Sequence, residues 1–97
     1  KERGYYRTFL YGSPNEKIAA LDWLQACRSW DTKRWVQGLL FDNSPTVRER
    51  TARFIAETDY LPFLSDLEAA CKVERDEQTK QRMMKHLEHL KALLPHK

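Results

Sequence analysis

The sequence predicts an all-α domain made of antiparallel helical hairpins laid side by side. Every stretch between turn signals carries apolar residues at helical spacing, and none alternates apolar with polar as a half-buried strand would. The turns between these stretches span only a few residues, which forces neighbouring helices to run antiparallel. One stretch also recurs. Ser44-Pro45-Thr46-Val47-Arg48 matches Ser13-Pro14-Asn15-Glu16-Lys17 at an offset of 31, Pro14 to Pro45, with Trp23 at Phe54 and Leu24 at Ile55. A weaker copy lies 32 residues downstream, with Thr79-Lys80 at Val47-Arg48, Met84 at Ala52 and Leu87 at Ile55. A period in this range is the signature of stacked helical units, because one hairpin cannot bury its apolar face alone.

The chain divides accordingly into one domain over 1–97, with repeat units near 13–42, 44–73 and 76–94 and about five to six helices in all. Residues 3–11 form a short helix with Tyr6, Phe9 and Leu10 on one side, and Gly12 stands at its C-cap position. Residues 1–12 read as the end of a preceding repeat. The second helix runs from Pro14 to about Arg28, opened by Ser13 and Glu16 at capping-box spacing and faced by Ala20, Leu21, Leu24 and Cys27. Asp31 caps a third helix reaching about Phe41, with Trp35, Val36, Leu39 and Leu40 inward. Gly38 inside it costs about 1 kcal/mol relative to alanine, which suggests close approach of another segment there.

Ser44 as cap and Pro45 at the first helical position open a fourth helix, whose apolar edge is Val47, Thr51, Phe54 and Ile55. After the Thr58-Asp59 turn a fifth helix carries Leu61, Leu64, Leu67 and Cys71 to about Val73, with Pro62 tolerated in its first turn. The acidic turn Glu74-Arg75-Asp76-Glu77 leads into the last helix, where Met83, Leu87, Leu90 and Leu94 face inward and Pro95 stops the run.

The order Asp42, Val47, Arg48, Ala52, Ile55 resembles a HEAT-type repeat, the helical-hairpin unit of α-solenoids. The resemblance covers most of the chain and is specific around residues 42–64; the first copy departs from it at Glu16 and the last at Thr79-Lys80. It implies a short right-handed α-α superhelix and a structural ladder of Asp42 and Arg48 inside the stack. It also implies a non-catalytic scaffold whose second helices line a partner-binding surface. The contact positions would then be Lys33, Arg34, Gln37, Ser65, Asp66 and Glu68. HEAT-like proteins include DNA glycosylases and lyases acting on tetrapyrrole attachment, so an enzyme of nucleic-acid repair stays as the last-ranked alternative.

A chain of 97 residues with 17 basic and 14 acidic side chains is mildly basic, with its +3 confined to residues 1–50, where nine Lys/Arg face six Asp/Glu. Both signs are interspersed, which argues for a protein partner, or the rest of a parent chain, over a polyanion. The aromatic opening Tyr5-Tyr6-Arg7-Thr8-Phe9-Leu10-Tyr11, after a first residue that is not methionine, reads as a fragment of a longer protein. No run of apolar residues is long enough to span a membrane. Cys27 and Cys71 fall at apolar helix positions as buried free thiols, which points to a reducing, cytoplasmic setting.

Chemistry-bearing patterns are sparse. His86 and His89 could share a helix face, yet no further ligands stand at zinc spacing, so they are expected to be solvent-exposed beside Leu87 and Leu90. No cofactor is expected, since phosphate-binding and dinucleotide fingerprints are absent. Trp23, Trp30 and Trp35 lie among Arg28, Lys33 and Arg34, the mixture that single-stranded nucleic acid needs for stacking and phosphate contact. Core packing explains Trp35 and Trp23 better, and Trp30, in a turn, is the one expected to be exposed. The rows Arg48, Arg50, Arg53 and Lys80, Arg82, Lys85 could line a polyanion, but Glu49, Glu57, Glu77 and Glu88 sit among them.

Overall fold

The computed structural model describes residues 11–26 and 32–94, with side chains described for 11–22 and 33–94. Helix α1 spans Pro14–Ala26, α2 Thr32–Leu39, α3 Pro45–Thr58, α4 Leu64–Val73 and α5 Glu77–Lys91, with a 3-10 turn at Leu61–Phe63 ahead of α4. No strand occurs among the described residues, so the chain is all-helical there. Of the helix expected over residues 3–11, only Tyr11 is described, helical and exposed; the rest lies outside the described residues, as do the side chains of Trp23, Leu24, Cys27, Arg28 and Trp30.

The capping box opens α1 as expected: the Ser13 amide donates to Glu16 Oε1 at 3.0 Å and the Glu16 amide donates to Ser13 Oγ at 3.3 Å. The Ser13 amide, and after it the Ser13 hydroxyl, hold the Glu16 carboxyl below its usual range. At α3 the expectation fails in its detail. Ser44 sits extended before Pro45 but its hydroxyl caps nothing. Its amide instead donates to Asp42 Oδ2 at 3.0 Å, so the aspartate, two residues earlier, shapes the turn. Helix α3 ends on Asp59 in the left-handed conformation, φ 53°, with its amide bonded to the Ala56 carbonyl at 3.3 Å.

The helix ends differ from the periodicity in a consistent way. Pro62 falls in a 3-10 turn rather than in α4 itself, and α5 stops at Lys91 instead of reaching Leu94. Beyond Lys91 the Leu93 amide bonds the Leu90 carbonyl and the Leu94 amide bonds the Lys91 carbonyl, both three residues back. A three-residue turn advances each side chain further round the axis than an α-turn does. Leu94 therefore leaves the inward face and is 40% exposed.

Helix α3 lies between α1 and α5, packing on both, while α2 packs on α3 and α4 on α5. Val47, Thr51, Ala52 and Ile55 of α3 are fully buried, and Val36, Leu67, Met83 and Leu90 meet them from the neighbouring elements in one core. Small Ala52 and Ala56 on α3 allow a close neighbour, whereas their counterparts one unit later, Met84 and Glu88, are exposed. Thr51 is buried without an orphaned group because its hydroxyl donates to the Val47 carbonyl at 2.7 Å. Trp35, Leu61 and Leu64 are part-buried against the core. The close approach expected at Gly38 is absent: a Cβ there would meet no heavy atom within 4 Å.

Candidate functional site

The joint that follows each second helix is built from the repeated positions. Lys17, in the first turns of α1, donates to Asp42 Oδ1 at 2.5 Å. Arg48, at the same station of α3, donates from Nε to Glu74 Oε1 at 2.6 Å and from an Nη to Glu74 Oε2 at 2.8 Å. The two pairs span 25 and 26 residues of chain, and each ties the start of one helix to the turn after the next, by a single bond from Lys17 and by two from Arg48. Asp42 and Arg48 are both part-buried and paired, as a ladder requires, but not charge to charge with each other. Arg48 reaches Asp42 through its main-chain carbonyl at 2.7 Å and the Asn43 carbonyl at 3.1 Å.

Glu74 is the member of this network that the acidic turn concealed. Its side chain is 1% exposed, and it also accepts from the Asp76 amide at 3.1 Å. The Arg48 hydrogen bonds hold its carboxyl below the ordinary glutamate range against the opposing effect of burial. Adding the 32-residue offset of the last copy to Asp42 lands on Glu74, which is the sequence signal that identifies it. One turn later Asp76 caps α5, accepting from the Thr79 hydroxyl at 2.6 Å and the Thr79 amide at 2.9 Å; the hydroxyl does most to hold that carboxyl low.

Of the six expected contact positions, Lys33, Arg34 and Ser65 are exposed on α2 and α4. The other three are engaged in holding helices together. Gln37 donates to Asp66 Oδ1 at 3.1 Å, joining α2 to α4, and Glu68 pairs with Lys91 of α5 at 3.7 Å. The rows of basic residues on α3 and α5 are likewise divided. Arg48 belongs to the joint, Arg53 pairs with Glu57 at 3.7 Å, and Arg50 lines a narrow cleft with Ile18, Leu21 and Phe54 between α1 and α3.

The histidines are not both free. His86 is part-buried with Nε2 2.9 Å from Glu49 Oε2, and His89, which is exposed, lies 3.0 Å from Asp59 Oδ1. Both pairs tie α5 to α3 and its end, because two ring nitrogens one turn apart face two acids of the neighbouring helix. With Arg53 and Glu57 they border an open hollow of about 580 Å³. Among the described residues no group of three or more His, Cys, Asp or Glu could hold a metal ion. Cys71 is a buried free thiol whose acidity burial suppresses, so it offers little thiolate.

A second hollow, of about 350 Å³, opens beside the joint. Leu40, Phe41, Asn43, Arg48, Val73 and Arg75 are on its walls. Phe41, in the turn after α2, is 53% exposed, and Val73, the last residue of α4, is 61% exposed. Neither stood out in the sequence, since a single apolar residue at a helix end carries no periodic signal. No described helix is long and apolar enough to cross a membrane. Compared with family models, curated proteins and solved structures, the chain matches none.

Proposed function

We propose that this domain is a non-catalytic interaction module, a HEAT-like α-solenoid segment that presents its second helices, α2 and α4, to a protein partner. The observation that carries the proposal is the doubled joint: Lys17 on Asp42 and Arg48 on Glu74 are cation–carboxylate pairs at nearly equal spacing, 25 and 26 residues. A charge pair reproduced at the same station of consecutive units supports rigid stacking of like hairpins, and such stacks work by displaying an extended surface. Lys33, Arg34 and Ser65 are the positions on that surface with side chains available to a partner. Gln37, Asp66 and Glu68 set its shape. The buried thiol of Cys71 fits a reducing compartment, and we place the protein in the cytoplasm on that ground.

Nucleic acid is the competing partner, because Lys33 and Arg34 make no ion pair among the described residues. Fluorescence anisotropy with a labelled single-stranded oligonucleotide, at two salt concentrations, separates the two. A protein-binding module binds it more weakly than about 10 μM at physiological salt, within the range of non-specific electrostatic contact. Submicromolar binding that falls steeply with salt and disappears in Lys33→Glu with Arg34→Glu would overturn the protein-partner assignment.

A further inference from the structure

Resting on the protein-partner reading above, we propose that the hollow between Phe41 and Val73 is a docking site for an acidic peptide segment of the partner. In this complex an apolar side chain lies between Phe41 and Val73 and a neighbouring carboxylate meets Arg75. The apolar half of the argument is geometric. Two large apolar side chains, each more than half exposed, share one hollow, Phe41 from the turn after α2 and Val73 from the last position of α4, and Leu40 and Ala70 also line it. A volume of about 350 Å³ lies at the low end of the roughly 300–1,000 Å³ typical of ligand pockets, which suits a side-chain anchor.

The charge of the occupant follows from which groups around the hollow are already committed. Asp42 is held by Lys17 and the Ser44 amide, Glu74 by Arg48 and the Asp76 amide, and Asp76 by Thr79. Asp42 and Glu74, the two carboxylates on the walls, are therefore both paired with cations. Arg75 is exposed and, of the charged side chains on the walls, is the one without an ion pair among the described residues. The one unpaired charge on the walls is therefore positive, so an incoming segment gains by placing a carboxylate there.

Apolar chemistry at the hollow favours a peptide over a nucleic acid. Stacking platforms need a ring at each station, and here the second station is Val73, an aliphatic side chain with no π-face for a base. A peptide with an apolar residue next to an acid satisfies both features at once. Arg75 can then take the carboxylate through two parallel N–H bonds, a geometry lysine does not offer.

Panning a displayed library of random peptides on the folded chain tests this. The expected result is enrichment of clones with a large apolar residue adjacent to Asp or Glu. A synthetic peptide from that set should lose at least about tenfold in affinity in Arg75→Glu, and likewise in Phe41→Ser with Val73→Ser, where tenfold corresponds to about 1.4 kcal/mol. All three positions are exposed, so the variants keep the wild-type helical circular dichroism. Arg50→Glu, outside the hollow, should leave the affinity unchanged. Enrichment of basic or neutral peptides, no enrichment, or affinity indifferent to Arg75 would each overturn the docking site and leave the module assignment standing. If an oligodeoxythymidine binds more tightly than any selected peptide and is lost in Arg75→Glu, the docking site and the protein-partner reading fall together.

Discussion

Arg48→Ala is the perturbation on which the joint stands or falls. The substitution removes two charge-assisted bonds to Glu74, at 2.6 and 2.8 Å, and two bonds to main-chain carbonyls. It leaves a carboxylate that is 1% exposed with the Asp76 and Arg75 amides as its remaining donors. Removing one partner of a buried pair costs about 3–5 kcal/mol. Arg48 is itself 18% exposed, so water can partly fill its place, which puts the expected loss near the bottom of that range, about 3 kcal/mol. For a domain of this size that is a fall in Tm of roughly 12–24 °C.

Urea unfolding followed by circular dichroism at neutral pH measures it. The sign of the pH dependence supplies a second check. Arg48 lowers the folded-state pKa of Glu74, so the pair stabilises fully above the ordinary glutamate range and loses its contribution as the pH falls through the lowered value. The gap between wild type and Arg48→Ala therefore closes on acidification below about pH 4.3. Arg53→Ala is the control, since its pair with Glu57 is about half exposed on both sides and should be worth at most about 0.5 kcal/mol. A loss for Arg48→Ala no larger than that control would refute the joint as a structural clamp. Replacing both partners, Arg48→Met with Glu74→Leu, should be less damaging than Arg48→Ala alone, because no charge is left buried.

Gly38→Ala should stabilise the domain by about 0.5–1 kcal/mol, since the site is helical, has no positive φ and leaves open space where the methyl would go; a lowered Tm would contradict this. In a Cys27→Ser background Cys71 should react with a thiol reagent at least about a hundredfold more slowly in the native state than in urea, because burial both shields the sulfur and suppresses the thiolate. Equal rates would mean that the core around α4 opens freely.

Local chemistry made much of this protein legible from the chain alone. The capping box at Ser13, Pro45 at the first turn of α3, and the apolar edges Val47-Thr51-Ile55 and Met83-Leu87-Leu90 lie within a few residues of the features they predict, so propensity and periodicity suffice. The HEAT-type resemblance also singled out Arg48 and Asp42, which meet through the Asp42 main-chain carbonyl. The tertiary structure decided which acid Arg48 takes, because Asp42 and Glu74 are equally acidic on paper and only the fold brings Lys17 to one and Arg48 to the other. It likewise released Leu94 from the core and placed Phe41 beside Val73. Those outcomes depend on three-residue turns at helix ends and on contacts between residues about 30 positions apart, where no local pattern distinguishes a buried apolar side chain from an exposed one.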